Sequence, residues 1–533
     1  MSRNVVAGAV CAALLLLPAV APAGTRPPSC KTPVAADGHE PVCNPYVGSD
    51  WAMPHRNGYE QDSTPYAGPT AASKLTAQHV TVPAGALAFL QFSPKYADGG
   101  RAAWFSMVSN PDAERVGKID VRTGKLIDLY DQPMAGNATP SGAYNVLDHA
   151  GRMIVGKGTT VSVYEDATTG DRFSKVAKTH RFQLPDSALC GPDDHMVGII
   201  LTWSGQVAFA TAYGVVGVFP DDPSKMDAGH VKAITVTPRS TCTAGNPARE
   251  EISNSIAADE HGGIYTVTSA AQYKHVFNGT TIKQAWRVKL ASDGLQGGVR
   301  IGPGSGSSPT LMGTANHDDK LVVDTDGRKV MHLVAMWRDA IPKDWKPIHP
   351  GADRRVACDV PVNFGDPSIA KAQSEQSVAV RGYTAVVVNN SLKDTSSFDS
   401  LPGSLRYQAA TLASGDPANA AHGVERIDWN ARTRTCKVVW VNKTVSIPNA
   451  IPTISAGSST VYAIGASNGV WGLEGLSLKT GRRVLRLDTG AEAMHNSFYA
   501  DTEIAADGSV WTGTFGGVDI LRPAHAAPPL PLK

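Results

Sequence analysis

Five residues have side chains and neighbours that suit acid-base or metal chemistry. The candidate catalytic residues are His195, Glu375, His317, Asn254 and His495. His195 follows two aspartates, and His317 precedes two more. A histidine beside carboxylates is suited to proton transfer or to binding a divalent metal ion. Asp, Asn and Ser in such places also form ordinary turns, so each residue has a structural interpretation as well.

A repeated strand pattern follows these polar residues. It consists of an apolar stretch, a turn with Asp and Gly, and a strand of alternating polarity. The clearest copies cover residues 146–155, 256–267 and 504–513, and weaker copies cover residues 199–209, 378–388 and 460–463. Neighbouring copies are mostly about 45 to 60 residues apart, which is typical of four-stranded propeller blades.

A second repeated phrase is a tight Thr-Gly turn. It is clearest at Asp120-Val121-Arg122-Thr123-Gly124-Lys125, and relatives occur at residues 167–171 and 478–482. Glycine tolerates positive φ, and the Asp or Thr side chain bonds back to its own turn. We expect each such turn to join the two outer strands of a blade.

Through these turns and the run from Asp259 to Tyr265, the chain resembles the quinoprotein-type, or PQQ-like, β-propeller superfamily over residues 86–523. The resemblance implies a propeller fold and offers quinone-dependent dehydrogenase activity as one hypothesis. PQQ itself is not expected, because the chain has no adjacent cysteine pair and no regular Trp-bearing blade motif. A parallel α/β fold is disfavoured because long amphipathic helical stretches are missing. We therefore predict an all-β chain forming a seven- or eight-bladed β-propeller.

In a propeller the innermost strands surround a central channel, and the residues entering them face one mouth of it. The residues that enter the repeats are polar, so we expect several of them to converge on one site. They are Tyr144-Asn145, residues 193–195, residues 253–255, residues 375–377, His495-Asn496 and Thr502-Glu503, together with residues 316–319.

The start of the chain predicts export. Arg3 precedes an apolar run from Val5 to Val20, and Ala21-Pro22-Ala23 is a small-residue cleavage site, so residues 1–23 are predicted to be a signal peptide. We expect a secreted or periplasmic protein with no integral membrane segment. Six cysteines then remain in an oxidising compartment, and pairing of sequence neighbours is the simplest of the possible arrangements: Cys30 with Cys43, Cys190 with Cys242, and Cys358 with Cys436.

Three further segments complete the predicted organisation. Residues 24–85 form an N-terminal extension tied by its own disulfide, residues 86–523 the propeller, and residues 524–533 a flexible tail. Trp and Tyr residues of the extension are expected to anchor it by burial across the propeller. Within it, His55-Arg56-Asn57 is a further candidate, whose arginine could bind an anion at the mouth. A surface position is expected for Arg56, since arginine is mostly exposed.

Charge and composition narrow the function classes. The chain has 49 Lys plus Arg against 48 Asp plus Glu, scattered along its length, which argues against a nucleic-acid partner. The leading hypothesis is an enzyme that uses acid-base or metal-assisted chemistry on a small polar or carbohydrate ligand. The alternatives are a non-catalytic propeller that binds a protein or cell-envelope ligand, and the quinone-dependent dehydrogenase. No particular cofactor is fixed by the sequence, although a divalent metal suits the histidines and carboxylates.

Overall fold

The computed structural model describes residues 30–109, 113–133, 142–243, 245–294, 300–401, 403–527 and 530. The predicted signal peptide lies outside these residues. In the described part of the chain, no helix has the length and apolar character needed to cross a membrane.

Strands dominate the described residues. In chain order they are β1 (Ser63–Thr64), β2 (Leu75–Phe92), β3 (Ala102–Ser109), β4 (Ala113–Asp120), β5 (Leu126–Pro133), β6 (Asn145–Leu147), β7 (Met153–Lys157), β8 (Thr160–Asp166), β9 (Val176–Gln183), β10 (Met196–Leu201), β11 (Gln206–Thr211), β12 (Val215–Pro220), β13 (Lys232–Thr235), β14 (Ala257–Ala258), β15 (Gly263–Val267), β16 (Ala271–Phe277), β17 (Ile282–Lys289), β18 (Thr310–Met312), β19 (Leu321–Thr325), β20 (His332–Trp337), β21 (Val356–Pro361), β22 (Ala379–Arg381), β23 (Thr384–Val388), β24 (Val424–Asn430), β25 (Thr435–Asn442), β26 (Thr453–Ser455), β27 (Thr460–Ser467), β28 (Val470–Ser477), β29 (Arg483–Gly490), β30 (Glu503–Ile504) and β31 (Val510–Pro523).

One α-helix, α1 (Gly403–Ala413), accompanies the strands of the described residues. It lies between β23 and β24, in an insertion that the strand repeat did not predict. Short 3-10 turns occupy Asp186–Ala188, Pro223–Lys225, Ala228–His230, Arg239–Thr241 and Ala493–His495.

The strands form antiparallel sheets of consecutive strands. Five sheets have four strands each: β6 to β9, β10 to β13, β14 to β17, β18 to β21 and β22 to β25. A sixth sheet has the order β1-β26-β27-β28-β29, in which β1 and β26 are parallel. The first strand of each repeat is buried, whereas the fourth is partly exposed, so the first strand is the innermost one. The predicted all-β propeller is confirmed.

The remaining sheet joins the two ends of the chain, in the order β30-β31-β2-β3-β4-β5. Residues 75–81 of β2 pair with β31, and residues 85–92 pair with β3. Because β2 serves two sets of strands, this sheet counts as one blade or as two, and the predicted number of seven or eight blades stays open. The expected boundary between extension and propeller falls inside β2. After β31, the Ala524 N–H donates to the Lys74 carbonyl.

The Thr-Gly turns join the two outer strands of their sheets, as predicted. Gly124 lies between β4 and β5 with φ of 67°, and the Asp120 carboxylate accepts a hydrogen bond from the Thr123 N–H at 2.9 Å. Gly170 and Gly481 occupy the same place before β9 and β29, with φ of 77° and 69°. Each turn needs a residue in the left-handed region, which glycine adopts without steric cost.

Sequence-neighbour disulfides are likewise confirmed: Cys30–Cys43, Cys190–Cys242 and Cys358–Cys436. The first ties the extension, and the third joins β21 to β25 of the next sheet. Each bridge restricts the unfolded chain and thereby stabilises the folded one.

Residues 51–64, here called the axial segment, follow the inner faces of the sheets. Backbone carbonyls of this segment accept hydrogen bonds of 2.7–2.8 Å from N–H groups of innermost strands, in the pairs Trp51 with Phe92, Ala52 with Leu147, Gly58 with Ala258, Tyr59 with Leu311, Gln61 with Val380, and Asp62 with Ile454. Trp51 and Tyr59 are buried, as expected for anchors. The extension therefore fills the centre of the ring as well as packing against it.

Truncation of a buried anchor in this segment should destabilise the whole ring. Trp51 is 2% exposed and packs into the core of the sheet that joins the two ends of the chain, so Trp51→Ala leaves a cavity there, and we expect the free energy of unfolding to fall by about 3 to 5 kcal/mol. Chemical denaturation followed by fluorescence measures this change. Leu412→Ala, at a side chain on α1 that is 50% exposed, is the control and should have little effect. Equal stability of the two variants would contradict a stabilising role of the axial segment.

Candidate functional site

His55 of the axial segment lies at the centre of a fully buried cluster of carboxyl groups. Its Nδ1 is 2.9 Å from Asp62 Oδ2 and 3.6 Å from Asp501 Oδ1, and its Nε2 is 3.3 Å from Glu60 Oε2. The His55 N–H also donates to Asp501 Oδ2 at 2.9 Å. These four side chains, called the axial cluster below, bring together three residues of the extension and one that precedes β30.

The backbone that presents the axial cluster is strained. His55, Arg56, Glu60 and Asp62 all have positive φ, of 56°, 76°, 57° and 46°. Such conformations are rare for residues other than glycine, and they persist only where the surroundings enforce them. The Asp62 N–H donates to the His55 carbonyl at 3.1 Å, which closes the loop and holds the imidazole against the Asp62 carboxyl.

The innermost strands contribute a row of short polar side chains to the same place. Ser255, Ser308, Ser377 and Asp501 each stand two residues before the first residue of β14, β18, β22 and β30. The Ser255 N–H donates to Ser308 Oγ, and the Ser308 N–H to Ser377 Oγ, both at 3.1 Å. Ser308 Oγ and Ser377 Oγ lie 3.3 Å and 3.4 Å from His55 Nε2. The repeat therefore places equivalent positions of successive blades around the imidazole.

The axial cluster gathers three carboxyl groups and one imidazole in a fully buried place. Burial raises the pKa of Glu60 and Asp62 well above the ordinary values, and it raises the pKa of Asp501 to about 8. Burial lowers the pKa of His55, against the charge of Asp501. Within the described residues, no lysine or arginine pairs with these carboxyls, and Asp62 Oδ1 has no hydrogen-bond partner. Buried carboxyls of this kind must bind either protons or a cation.

A divalent metal ion fits this arrangement. One ligand atom each from His55, Asp62 and Asp501 lies within 4.8 Å of the others. Imidazole nitrogen and carboxylate oxygen are ligands for zinc and other first-row divalent metals. A cation here would also neutralise the charge that otherwise has to be removed by protonation.

An aromatic cavity of about 320 Å³ lies at the end of the ring where the innermost strands begin. Its lining includes Phe89, Tyr144, Tyr213, Tyr407 of α1, Phe498 and Tyr499, with His195 and Glu251 as titratable groups. The Phe89 ring is 4.9 Å from Tyr144 and 5.7 Å from His55, measured between ring centroids. One aromatic side chain therefore separates the cavity from the axial cluster.

Tyr144 connects the two spaces electrostatically. Burial, followed by the negative charges of Glu60, Asp501 and Glu375, raises the pKa of its hydroxyl above the ordinary tyrosine value. The hydroxyl accordingly stays protonated at neutral pH and can donate a hydrogen bond to a bound ligand.

Three of the predicted site residues lie at this end of the ring. His195 lines the cavity beside Tyr213, and Asn254 is buried next to it in the chain segment before β14. Glu375 is buried behind the cavity wall, where Oε2 pairs with Arg300 Nε at 2.9 Å and Oε1 accepts the Ile301 N–H at 3.1 Å. Burial raises its pKa to about 7, against the charge of Arg300.

The other two predicted residues lie elsewhere. His317 is 89% exposed in the turn between β18 and β19, at the opposite end of the innermost strand, and contacts Asp318 at 3.7 Å. The residues after an innermost strand cannot reach the mouth that the residues before it form. His495 is partly buried in a separate cluster with His79 and Asp519.

Sequence reasoning missed the axial cluster, and its expectation for Arg56 was wrong. Arg56 is 4% exposed and pairs with Glu40 at 2.8 Å, because the segment that carries it is enclosed by the ring. His55 was singled out as a neighbour of this arginine, without its carboxyl partners. One sequence signal could have identified Asp501 as a site residue. It stands two residues before Glu503, where a strand of the repeat begins.

An uncharacterized protein of Archaeoglobus fulgidus is 40% identical to this chain over 492 residues, which are 92% of this chain and 90% of that protein. The two proteins belong to one family. No family model matches the sequence.

Solved structures with the same fold include quinone-dependent enzymes. A quinohemoprotein alcohol dehydrogenase from Pseudomonas putida HK5 is 12% identical, with a TM-score of 0.53 over 91% of this chain and 82% of that one. A europium-containing methanol dehydrogenase is 10% identical, with a TM-score of 0.56 over 88% of this chain and 97% of that one. Identities this low establish the fold-level resemblance to PQQ-type propellers and leave the activity open.

The residues of the cavity do not fit the quinone of such enzymes. PQQ is an anion with several carboxylates, which require cationic partners. The described lining residues contain Glu251 and no lysine or arginine, and the nearby Arg300 is already paired with Glu375. Beneath the cavity the axial cluster is itself acidic. Among the described lining residues no cation is therefore placed to hold an anionic quinone, and Arg249, stacked on Tyr213, is paired with Glu251.

The raised carboxyl pKa values predict how stability depends on pH in metal-free protein. Above the ordinary carboxyl pKa of about 4, the folded state holds protons that the unfolded chain releases, so stability falls by about 1.4 kcal/mol per pH unit for each such group. For Asp501 this fall continues up to its folded pKa of about 8. Asp501→Asn should flatten the fall between about pH 5 and pH 8, as measured by denaturant unfolding in EDTA.

The matched control is Asp359→Asn in another histidine-carboxylate cluster. There burial opposes, but hydrogen bonds from His332 and Arg328 outweigh it and lower the pKa of Asp359. This variant should keep the wild-type slope across the same pH range. An unchanged slope in Asp501→Asn would mean that Asp501 is ionised in the folded protein.

Proposed function

We propose that this protein is an exported enzyme that holds a divalent metal ion with His55, Asp62 and Asp501 and hydrolyses a small uncharged polar substrate. Three disulfides support function in an oxidising compartment, together with the signal peptide predicted from the sequence. The observation that carries the proposal is the buried, strained and electrically uncompensated axial cluster directly beneath the aromatic cavity.

The comparison with the other histidine-carboxylate clusters supports a cation at the axis. In the cluster of Asp326, His332 and Asp359, the Arg328 Nη1 lies 3.0 Å and 2.9 Å from the two carboxylates. That cluster contains its own cation. The axial cluster has the same ligand types without the arginine, so the neutralising charge must come from outside the chain.

The cavity supports an uncharged ligand with a flat or ring-shaped face. Six of its lining residues are Phe or Tyr, whose rings bind apolar and sugar-like faces while tyrosine hydroxyls supply hydrogen bonds. The acidic axial cluster disfavours an anionic ligand, whereas Glu251 is paired with Arg249 at 3.2 Å. A carbohydrate or a compound of similar polarity meets both conditions.

Within the site, the side chains have separable roles. A divalent cation, when bound, lowers the pKa of a coordinated water and polarises a substrate oxygen. Glu60 Oε2, 3.3 Å from His55 Nε2, is placed to hold the imidazole with its Nδ1 toward Asp62 and Asp501, and Tyr144 is placed to donate a hydrogen bond to the substrate. Rotation of the Phe89 ring joins the cavity to the cluster, since this ring contacts both.

Loss of an axial ligand should remove the metal. We expect Asp501→Asn and Asp62→Asn to contain one equivalent of divalent metal less than the wild-type protein, because a neutral amide cannot balance the cation. Plasma mass spectrometry on protein purified through export measures the content. Asp359→Asn is the control and should match the wild type. Equal metal content in all four proteins would remove the cation from the axis.

Substitution of Tyr144 should affect turnover more than binding. We expect Tyr144→Phe to lower kcat by about 100-fold with little change in KM, since a hydrogen-bond donor aimed at charge that develops in the transition state contributes about that much. The assay uses metal-loaded protein and a panel of neutral chromogenic glycosides and esters. Tyr213→Phe, at the outer wall of the cavity, should keep kcat within a few-fold. Absence of metal-dependent turnover across the panel would count against the proposed hydrolase activity. An unchanged kcat in Tyr144→Phe would count against the role of Tyr144 as a hydrogen-bond donor.

A further inference from the structure

A second cluster with histidine and carboxylate ligands lies where the two ends of the propeller meet. His79 on β2 and Asp519 on β31 are directly opposite each other in the antiparallel pair. His495, at the end of the 3-10 turn Ala493–His495, reaches the same carboxylate. His79 Nδ1 is 2.7 Å from Asp519 Oδ1, and His495 Nδ1 is 2.9 Å from Asp519 Oδ2. One carboxylate therefore holds two imidazoles from distant parts of the chain.

The two rings are arranged so that both Nδ1 atoms point at Asp519. Their centroids are 5.4 Å apart and their planes are inclined by 78°. The side chains of His79, His495 and Asp519 are 11%, 13% and 3% exposed, so the cluster lies just below the surface, within reach of solvent.

Two glycines provide the space for the imidazoles. A Cβ at Gly490 would come 2.6 Å from His495 Nε2, and a Cβ at Gly517 would come 2.7 Å from His79 Nε2. Both distances are shorter than van der Waals contact, so a larger residue at Gly490 would displace the His495 ring, whereas one at Gly517 would first meet the Val80 carbonyl. Both glycines thus lie against the imidazoles where the two ends of the propeller meet.

Asp519 has no basic partner other than these histidines among the described residues. This distinguishes it from the cluster of Asp326 and Asp359, in which Arg328 occupies the position of a cation. Two imidazole nitrogens and one carboxylate oxygen, with a fourth position left to water, are a common ligand set for zinc. The three ligand atoms lie within 4.8 Å of one another.

We infer that His79, His495 and Asp519 bind a zinc ion that fastens β2 to β31. With bonds of about 2.0 to 2.2 Å, two tetrahedral ligands are about 3.4 Å apart, so the nitrogen–oxygen separations of 2.7 Å and 2.9 Å widen by about 0.5 to 0.7 Å to admit the ion. Each neutral imidazole would then carry its hydrogen on Nε2 and offer Nδ1 to the zinc. The ion has a structural role, because β2 begins the propeller, β31 ends it, and the ion joins the two strands. This site is separate from the axial cluster and does not depend on the proposed enzyme activity.

Zinc titration of the full-length, metal-stripped protein by calorimetry tests the inference. The Asp501→Asn background removes an axial ligand, so binding there reports on the second cluster. In that background we expect about one equivalent of zinc to bind and to raise the melting temperature. Adding His495→Ala or His79→Gln should weaken this binding by about 100-fold or more and abolish the thermal shift. X-ray absorption of the bound zinc should show two imidazole ligands.

His332→Ala in the same background is the matched control and should bind zinc like its parent. Gly490→Ala, which crowds His495 without removing a ligand, should also weaken zinc binding, so the test does not rest on one variant. Circular dichroism of each metal-free variant verifies the fold. Zinc binding and a thermal shift that survive in both histidine variants would overturn the inference, as would the absence of zinc binding in the Asp501→Asn protein.

Discussion

The innermost strand of each sheet has an edge that faces the axis, and the backbone groups on that edge need hydrogen-bond partners. A strand edge without partners is costly when buried. The axial segment meets this requirement, since its carbonyls accept N–H groups from one innermost strand after another. The same backbone path carries His55, Glu60 and Asp62 to the centre. The chemistry of the site thus follows from how the ring satisfies its own inner edge.

Local features could be predicted because they are determined by residues that are adjacent in the sequence. The alternation of β15, the Asp-Gly turns before it and the Thr-Gly turn at Gly124 each depend on neighbours in sequence. The disulfides followed the same logic, since each cysteine pairs with its neighbour in the sequence. The polar residues before the innermost strands were also recognisable, and His195, Asn254 and Glu375 lie together at the mouth.

The site itself depends on contacts that no local pattern reveals. His55 and Asp501 are 446 residues apart, and only the closed ring brings them together. Arg56 was expected at the surface because most arginines are exposed, but Glu40 and the surrounding sheets permit its burial. His317 and His495 were grouped with the mouth residues because the strand register was not known. The helix α1 interrupts the repeat in an insertion, and its Tyr407 completes the cavity wall.

The position of the axial segment also constrains how the protein can fold. This segment leaves the ribosome early, but its partner Ile454 and the histidine's neighbour Asp501 are made near the end of synthesis. Strand β2 likewise cannot pair with β31 until the end of the chain has been synthesised. Contacts of such large sequence separation form late, because closing long loops costs entropy before the contacts compensate it. Neither the centre nor the closing sheet can therefore be completed before the last part of the chain has been synthesised, whereas each sheet of four consecutive strands can form earlier.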